Sequence, residues 1–378
     1  MAVYTAFLAI IVPFATMRYS LTIPICKTEK LAANMMWLCF LLIIGGTVLT
    51  WFVLMLFGEP LLAAINMQKL SPYWYLVPVG FLFTGIYEVL TQYAIRKKAL
   101  GAIAKSSVVQ KVIGSTIKVL FGFLSIKPLG LLLGNLFSEA GGISTLLRSY
   151  WADFKKSLAS YSPVKVRYGA KRYRNFPIYR VPSQIMLASA SNIPVFYYAW
   201  QFSGAVVGQI GWARTMLSIP VTFLCTAVGK AFFAEIAEMG KGRSAEIYRL
   251  TVSIMKKLFF LSLIPFAIVI IFGPWIFSFI FGAEWYDAGF YARCFSVFLI
   301  LQVVYSPISD GIFNVFEKQS FVMWLEISRL LITVVALAVA YCLHLGPIPT
   351  ILIYSIGLAL QYTASIIVVF RILKSDRI

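Results

Sequence analysis

Acidic residues, histidine and paired cysteines are scarce in this chain, and each shortage closes off a class of function. Only 14 Asp and Glu stand against 33 Lys and Arg in 378 residues, too few acids for the acidic cavity that an exporter of cationic drugs would need. The single histidine, His344, falls at the end of an apolar stretch. Cys26, Cys39, Cys225, Cys294 and Cys342 show no CxxC or metal-ligand spacing, so neither a disulfide framework nor a zinc site is expected. An Asp-x-Asp pair, a Ser/His/Asp set and a Gly-rich phosphate loop are also missing, which argues against an enzyme and against a bound cofactor or metal.

Apolar residues fill the space. At 60% apolar, 16% aromatic and 12% charged, the composition calls for lipid as solvent. A spanning helix needs about 20 mostly apolar residues, and eleven stretches suit: Ala2 to Met17, Ala33 to Phe57, Pro72 to Ile95, Ser107 to Ile126, Pro128 to Arg148, Pro182 to Ser203, Val206 to Ile236, Lys256 to Ile280, Asp287 to Val315, Phe321 to His344 and Ile348 to Ile372. The first lacks a basic start and a small-residue cleavage site, so it reads as a span rather than a signal peptide. Of the 33 bases, 24 lie in every second connecting segment, while the intervening ones hold only Lys69 and Lys127. By the positive-inside rule the basic segments and the C-terminus are cytoplasmic, as in a multi-pass protein of the plasma membrane. The net charge of +19 then reports topology and attraction to anionic membrane lipids, not nucleic-acid binding.

The reading is an all-α polytopic membrane protein with two lobes. Residues 1–148 form a first lobe of five spans, 149–181 a basic cytoplasmic linker, and 182–378 a second lobe of six. Phe57-Gly58-Glu59 and Phe281-Gly282-Ala283-Glu284 each close an apolar helix, and similar spacings of cytoplasmic turn, helix, outer proline and last helix follow. This is a pseudo-repeat of spacing and hydropathy, a plan known among transporters. Three spans precede the second Phe-Gly turn and two the first, which predicts one span missing upstream of Met1.

The segments MRYSLTIPICKTEKLAAN, RNFPIYRVPSQIML, GQIGWARTMLSIPVTFL, GKAFFAEIAEM and FGPWIFSFIFGAEWYDAGFYAR resemble the polysaccharide and O-antigen flippases of bacteria, within the multidrug/oligosaccharidyl-lipid/polysaccharide exporter superfamily. The resemblance covers nearly the whole chain, with ARTMLSIP and FGAEWYDAGFYAR its most specific parts. Two departures stand out: twelve spans are usual and the first is absent here, and Ser20 replaces the acidic residue usual after the Arg-Tyr pair. The resemblance implies two six-helix lobes around a central cavity that opens alternately to each side of the inner membrane. Its cargo would be an oligosaccharide on undecaprenyl pyrophosphate, and its partners a polysaccharide polymerase and a chain-length regulator of lipopolysaccharide assembly. A membrane enzyme of that assembly, a polymerase, ligase or acyltransferase, is the rival reading, but every outer segment is short.

Charges inside apolar spans carry the functional reading, since each costs about 2.5 to 3.5 kcal/mol to insert and needs water or a partner. Lys111, Ser115 and Lys118 share one helical face, as do Thr84, Glu88, Thr91 and Gln92, then Asn135, Ser138 and Glu139, and the stripe Gln302, Ser306, Asp310, Asn314 and Glu317. Arg18, Lys111, Lys118, Arg214 and Arg329 are the candidates for binding pyrophosphate and sugars. For Arg214 a carbonyl of a proline-broken helix, with Pro220 nearby, is the competing use. Snorkelling suits Arg148, Lys230 and Arg293. Glu88 and Asp310 fall at matching places in the two halves, and a carboxylate kept from water suits ion coupling, although each could instead pair with a base. Glu326 is the third coupling candidate, but Glu326 and Arg329 at i and i+3 can neutralise each other.

Overall fold

A computed structural model describes residues 11–64, 73–123, 129–158 and 160–375. Lys69, the Lys127-Pro128 turn, Arg377 and the first nine residues of the span expected from Ala2 lie outside the described residues. The rest is helical, as hydrocarbon demands of a chain that must satisfy its own amides. Residues 11–15 are helical and lead through a turn at Tyr19–Thr22. Then come α1 (Glu29–Ala64), α2 (Leu76–Arg96), α3 (Leu100–Phe123), α4 (Leu129–Leu158), α5 (Pro163–Arg172), α6 (Val181–Gln201), α7 (Gly204–Met239), α8 (Ser244–Phe281), α9 (Tyr286–Val315), α10 (Gln319–Cys342) and α11 (Pro347–Ser375). Among the described residues, helices α1 and α7 to α11 are long and apolar enough to cross a membrane. The spans expected over Pro72–Ile95, Ser107–Ile126, Pro128–Arg148 and Pro182–Ser203 fall on α2, α3, α4 and α6, which carry more polar residues.

The chain divides into two compact units, Met1–Val181 and Pro182–Ile378. In the first, α2 packs on α1 and α4, and α3 packs on α4. Glycines allow the close approach of α3 and α4: a Cβ at Gly134 would stand 3.2 Å from the Gly114 carbonyl oxygen and 2.5 Å from Lys118 Cγ. In the second unit α9 is central, packed against α7, α8 and α11. Some 67% of its most apolar window is buried, against 11% for α1, so α1 belongs to the lipid-facing surface.

Two local expectations change. Gly58 remains inside α1, whereas Gly282 ends α8 with φ 103 and donates its amide to the Ser278 carbonyl at 3.0 Å. Only the second Phe-Gly pair uses glycine's access to positive φ as a helix stop. The basic stretch 149–181 is also mostly helical: α4 runs to Leu158 across a kink at Tyr150, and α5 packs on α1.

Candidate functional site

In the first unit the site is built around Glu88, on α2. Met17 and Arg18 have φ of 47 and 60, a left-handed conformation that costs a non-glycine residue about 1 to 2 kcal/mol. Side-chain bonds hold the strained turn against α2. Ser20 Oγ donates to Glu88 Oε1 at 2.7 Å, Thr16 and Ser20 share a hydrogen bond of 3.1 Å, and Arg18 Nη1 lies 3.5 Å from Glu88 Oε1. Gly85, one turn before Glu88, lets the strand of chain approach, since a Cβ there would meet Ala15 at 3.3 Å and Ile43 at 3.0 Å. Arg18 and Glu88 are 20% and 18% exposed, and Arg18 Nε is buried without a hydrogen-bond partner. The pair is therefore shielded but reachable. Ser20 explains the departure at this position: an acid there would sit against Glu88 and repel it.

On α3, Lys118 lies against α4 and Lys111 lies beside the face that packs on it. Lys111 is exposed and within electrostatic reach of Glu139, to whose Oε2 Gln110 Nε2 donates at 3.0 Å. Ser138 Oγ donates to the Gln110 carbonyl at 2.8 Å. Lys118 is half-buried, its stem lying over Gly134. The Glu139 carboxylate thus offsets part of the charge of one of two lysines that would otherwise only repel.

The second unit uses its bases differently. Arg214 Nη1, on α7, donates to the Ser191 carbonyl at 3.0 Å, three residues before Pro194 of α6. Arg293 Nη2, on α9, donates to the Ile271 carbonyl at 2.6 Å, three residues before Pro274 of α8, and its guanidinium lies over Phe290. Proline removes the amide that would bond the carbonyl four residues back, here Ala190 and Ile270, and bends the helix there. Each arginine bonds the carbonyl next to that one, Ser191 or Ile271. For Arg214 this is the carbonyl contact set against substrate binding, made with Pro194 in place of Pro220. For Arg293 the contact is one that the snorkelling expectation did not include.

Arg329 Nη1 pairs with Glu326 Oε2 at 3.0 Å, both about 10% exposed, and its guanidinium lies 4.8 Å from the Tyr362 ring centre. Tyr305 lies against the same ring, tilted, with centroids 5.6 Å apart. Asp310 stands exposed on α9, while Asn314, one turn on, is buried and Glu317 pairs with Lys241 at 3.2 Å. Glu88 and Asp310 thus match in sequence register and differ in setting.

A family model described as "Polysaccharide biosynthesis protein" matches residues 1–289. The chain belongs to that family. No curated protein matches the sequence at a significant level. Solved structures share the fold of this polysaccharide biosynthesis protein. A MATE transporter in the straight conformation superposes with TM-score 0.77 at 16% identity, over 99% of this chain and 87% of that one. A MOP superfamily transporter from Pyrococcus furiosus, described as having a binding pocket of reverse polarity that suggests a different function, gives 0.76 at 17% over 99% and 87%. The bent form of the Vibrio cholerae transporter VcmN gives 0.67 at 16% over 99% and 88%. The family agrees with the resemblance of the sequence motifs to proteins of polysaccharide assembly, and the fold is the one these solved transporters share.

Sequence reasoning named Arg18 and Glu88 separately and did not join them. It placed Glu139 in a polar stripe without a role, and it missed Tyr362 beneath Arg329. The positions of Pro194 and Pro274 inside apolar spans were the available signal for the two carbonyl contacts, since each proline bends its helix beside the carbonyl that is bonded.

Proposed function

We propose that this protein moves a lipid-linked oligosaccharide on polyprenyl pyrophosphate across the bacterial inner membrane by alternating access, with its C-terminus in the cytoplasm. Polysaccharide polymerase and chain-length regulator are its proposed partners. The observation that carries the reading is Arg18: a part-exposed guanidinium held to Glu88 through one nitrogen, with Nε unpartnered, in a chain of the polysaccharide biosynthesis family. An arriving phosphate competes with a carboxylate for such a fork, because both present pairs of acceptor oxygens that a guanidinium can bind bidentately. Lys111 and Lys118 add mobile positive charge, and a weakened hold on Arg18 frees Glu88 to take up an ion. Arg214, Arg329, Asp310 and Glu326 follow in rank, since the first two already spend donors on the fold.

The test is translocation of a lipid-linked oligosaccharide in vesicles containing the purified full chain. Arg18→Ala and the Lys111→Ala/Lys118→Ala pair are expected to lower the rate at least about tenfold, which corresponds to a lost interaction of about 1.4 kcal/mol. Glu88→Gln is expected to abolish the response to an imposed ion gradient. Parent rates in both base-deleted variants would remove the assignment.

A further inference from the structure

We propose that α5 is a surface helix that binds anionic membrane lipid through the basic side chains on its outer face. The depth of the helix comes from its inner face. A Cβ at Gly169 would stand 2.5 Å from Met35 Sδ and 3.6 Å from Leu31 Cδ1, so α5 lies directly against these side chains of α1. Leu31 and Met35 lie in the first two turns of α1, which starts at Glu29 and continues as a lipid-facing span. Two turns of helix rise about 11 Å. That places α5 beside the headgroups, above the hydrocarbon core.

Side-chain bonds fix both its approach and its exit. Asn34 Nδ2 donates to the Ser160 carbonyl at 3.0 Å, Ser162 N donates to Asn34 Oδ1 at 2.8 Å, and Tyr19 OH donates to the Ala170 carbonyl at 3.0 Å. Trp37 and Tyr161 meet edge to face at 5.3 Å, an aromatic pair at the level where interfacial aromatics collect.

The outer face has two components. Arg167 and Lys171 stand at i and i+4, exposed, with Lys165 also exposed. Val164 and Tyr168, also at i and i+4, are 76% and 60% exposed. Bases beside exposed apolar groups on one short helix are the arrangement of a helix lying in the interface. An acidic protein would match the bases alone, whereas an anionic lipid surface accounts for both components and continues the lipid-facing side of α1. The contact also has a route inward, because Tyr19, which holds α5, sits between Arg18 and Ser20, the two residues on Glu88.

The experiment titrates short-chain fluorescent phosphatidylglycerol into the detergent-solubilised full chain, with phosphatidylcholine, inorganic pyrophosphate at constant ionic strength, and polyglutamate as competitors. Each surface base contributes about a fivefold factor. Lys165→Gln, Arg167→Gln and Lys171→Gln together are therefore expected to weaken binding roughly a hundredfold, and added salt to weaken it in the parent. Val164→Ser with Tyr168→Ser is expected to weaken binding and leave its salt dependence unchanged. All five side chains are exposed, and elution of the variants as the parent does verifies folding. Undiminished phosphatidylglycerol binding in the triple variant overturns the proposal. Displacement by pyrophosphate turns the site into one for free phosphate groups, and displacement by polyglutamate into a protein-docking face, and either result also overturns it. The oligosaccharide reading stands or falls apart from this, on translocation by the unaltered chain.

Discussion

Arg18 and Lys111 in the first unit face carboxylates and remain partly open, whereas Arg214 and Arg293 in the second unit are tied to backbone carbonyls and Arg329 is buried in an ion pair. The difference lies in what an incoming anion would find. A base on a part-exposed carboxylate exchanges one oxygen acceptor for another at small cost, so its donors remain available. A base on a backbone carbonyl beside a proline bend already spends a donor within its own unit and gives up that bond to leave. Equal charge therefore has unequal settings: Arg18 lies on a part-exposed carboxylate, whereas Arg214 and Arg293 bond backbone carbonyls.

Removing one base from each unit breaks the comparison or sharpens it. Arg329→Ala leaves Glu326 buried without its countercharge, and deleting one partner of a buried pair costs about 3 to 5 kcal/mol. The expected result is a large loss of thermal stability in detergent, relieved when Glu326→Gln is added. Arg18→Ala is expected to cost about 1 kcal/mol or less, because its pair is part-exposed, while translocation falls. Equal destabilisation by both changes would erase the distinction between the units.

How much of this was legible in the sequence depends on the range of the interaction. The helices follow from apolar runs, because hydrocarbon leaves a chain no other way to pair its amides. Buried pairing of Glu326 with Arg329 follows from a spacing of three residues. Contacts between distant segments do not follow: Ser20 and Glu88 are 68 residues apart, and no local pattern joins them. The register of the two halves matched Glu88 with Asp310, but register carries no information on burial, which is set by the neighbouring helices. Residues 149–181 look like a tether because they are basic. Yet Ser162-Pro163 is a helix start, with proline at the first position where its missing amide is harmless, and Gly169 is where that helix touches α1.

A second test concerns how Lys118 is presented. Gly134→Ala places a Cβ 2.5 Å from Lys118 Cγ, which can swing away, and 3.2 Å from the Gly114 carbonyl oxygen, which is backbone and cannot. Overpacking of this kind costs about 1 to 3 kcal/mol. The expected outcome is a lower denaturation midpoint, part of which returns in Gly134→Ala/Lys118→Ala. Full recovery would assign the whole cost to the lysine stem, and no recovery would assign it to the helix contact.

The smallest expected effect bears most directly on the second unit. If Arg214 serves the break at Pro194, then its value depends on the proline, and the two residues form a double-mutant cycle. Arg214→Ala in the parent leaves the Ser191 carbonyl without the donor that now lies 3.0 Å away. In a Pro194→Ala background the regained amide bonds the Ala190 carbonyl, the bend relaxes so that the Ser191 carbonyl lies along its own helix, and the same deletion costs less. The coupling energy is expected at about 1 kcal/mol, within the range for residues sharing one hydrogen-bond network. Chemical denaturation of the four proteins in the same detergent measures it. A coupling of zero, with translocation lost in Arg214→Ala, would move Arg214 out of the group spent on backbone carbonyls and place it with Arg18 among the bases open to exchange.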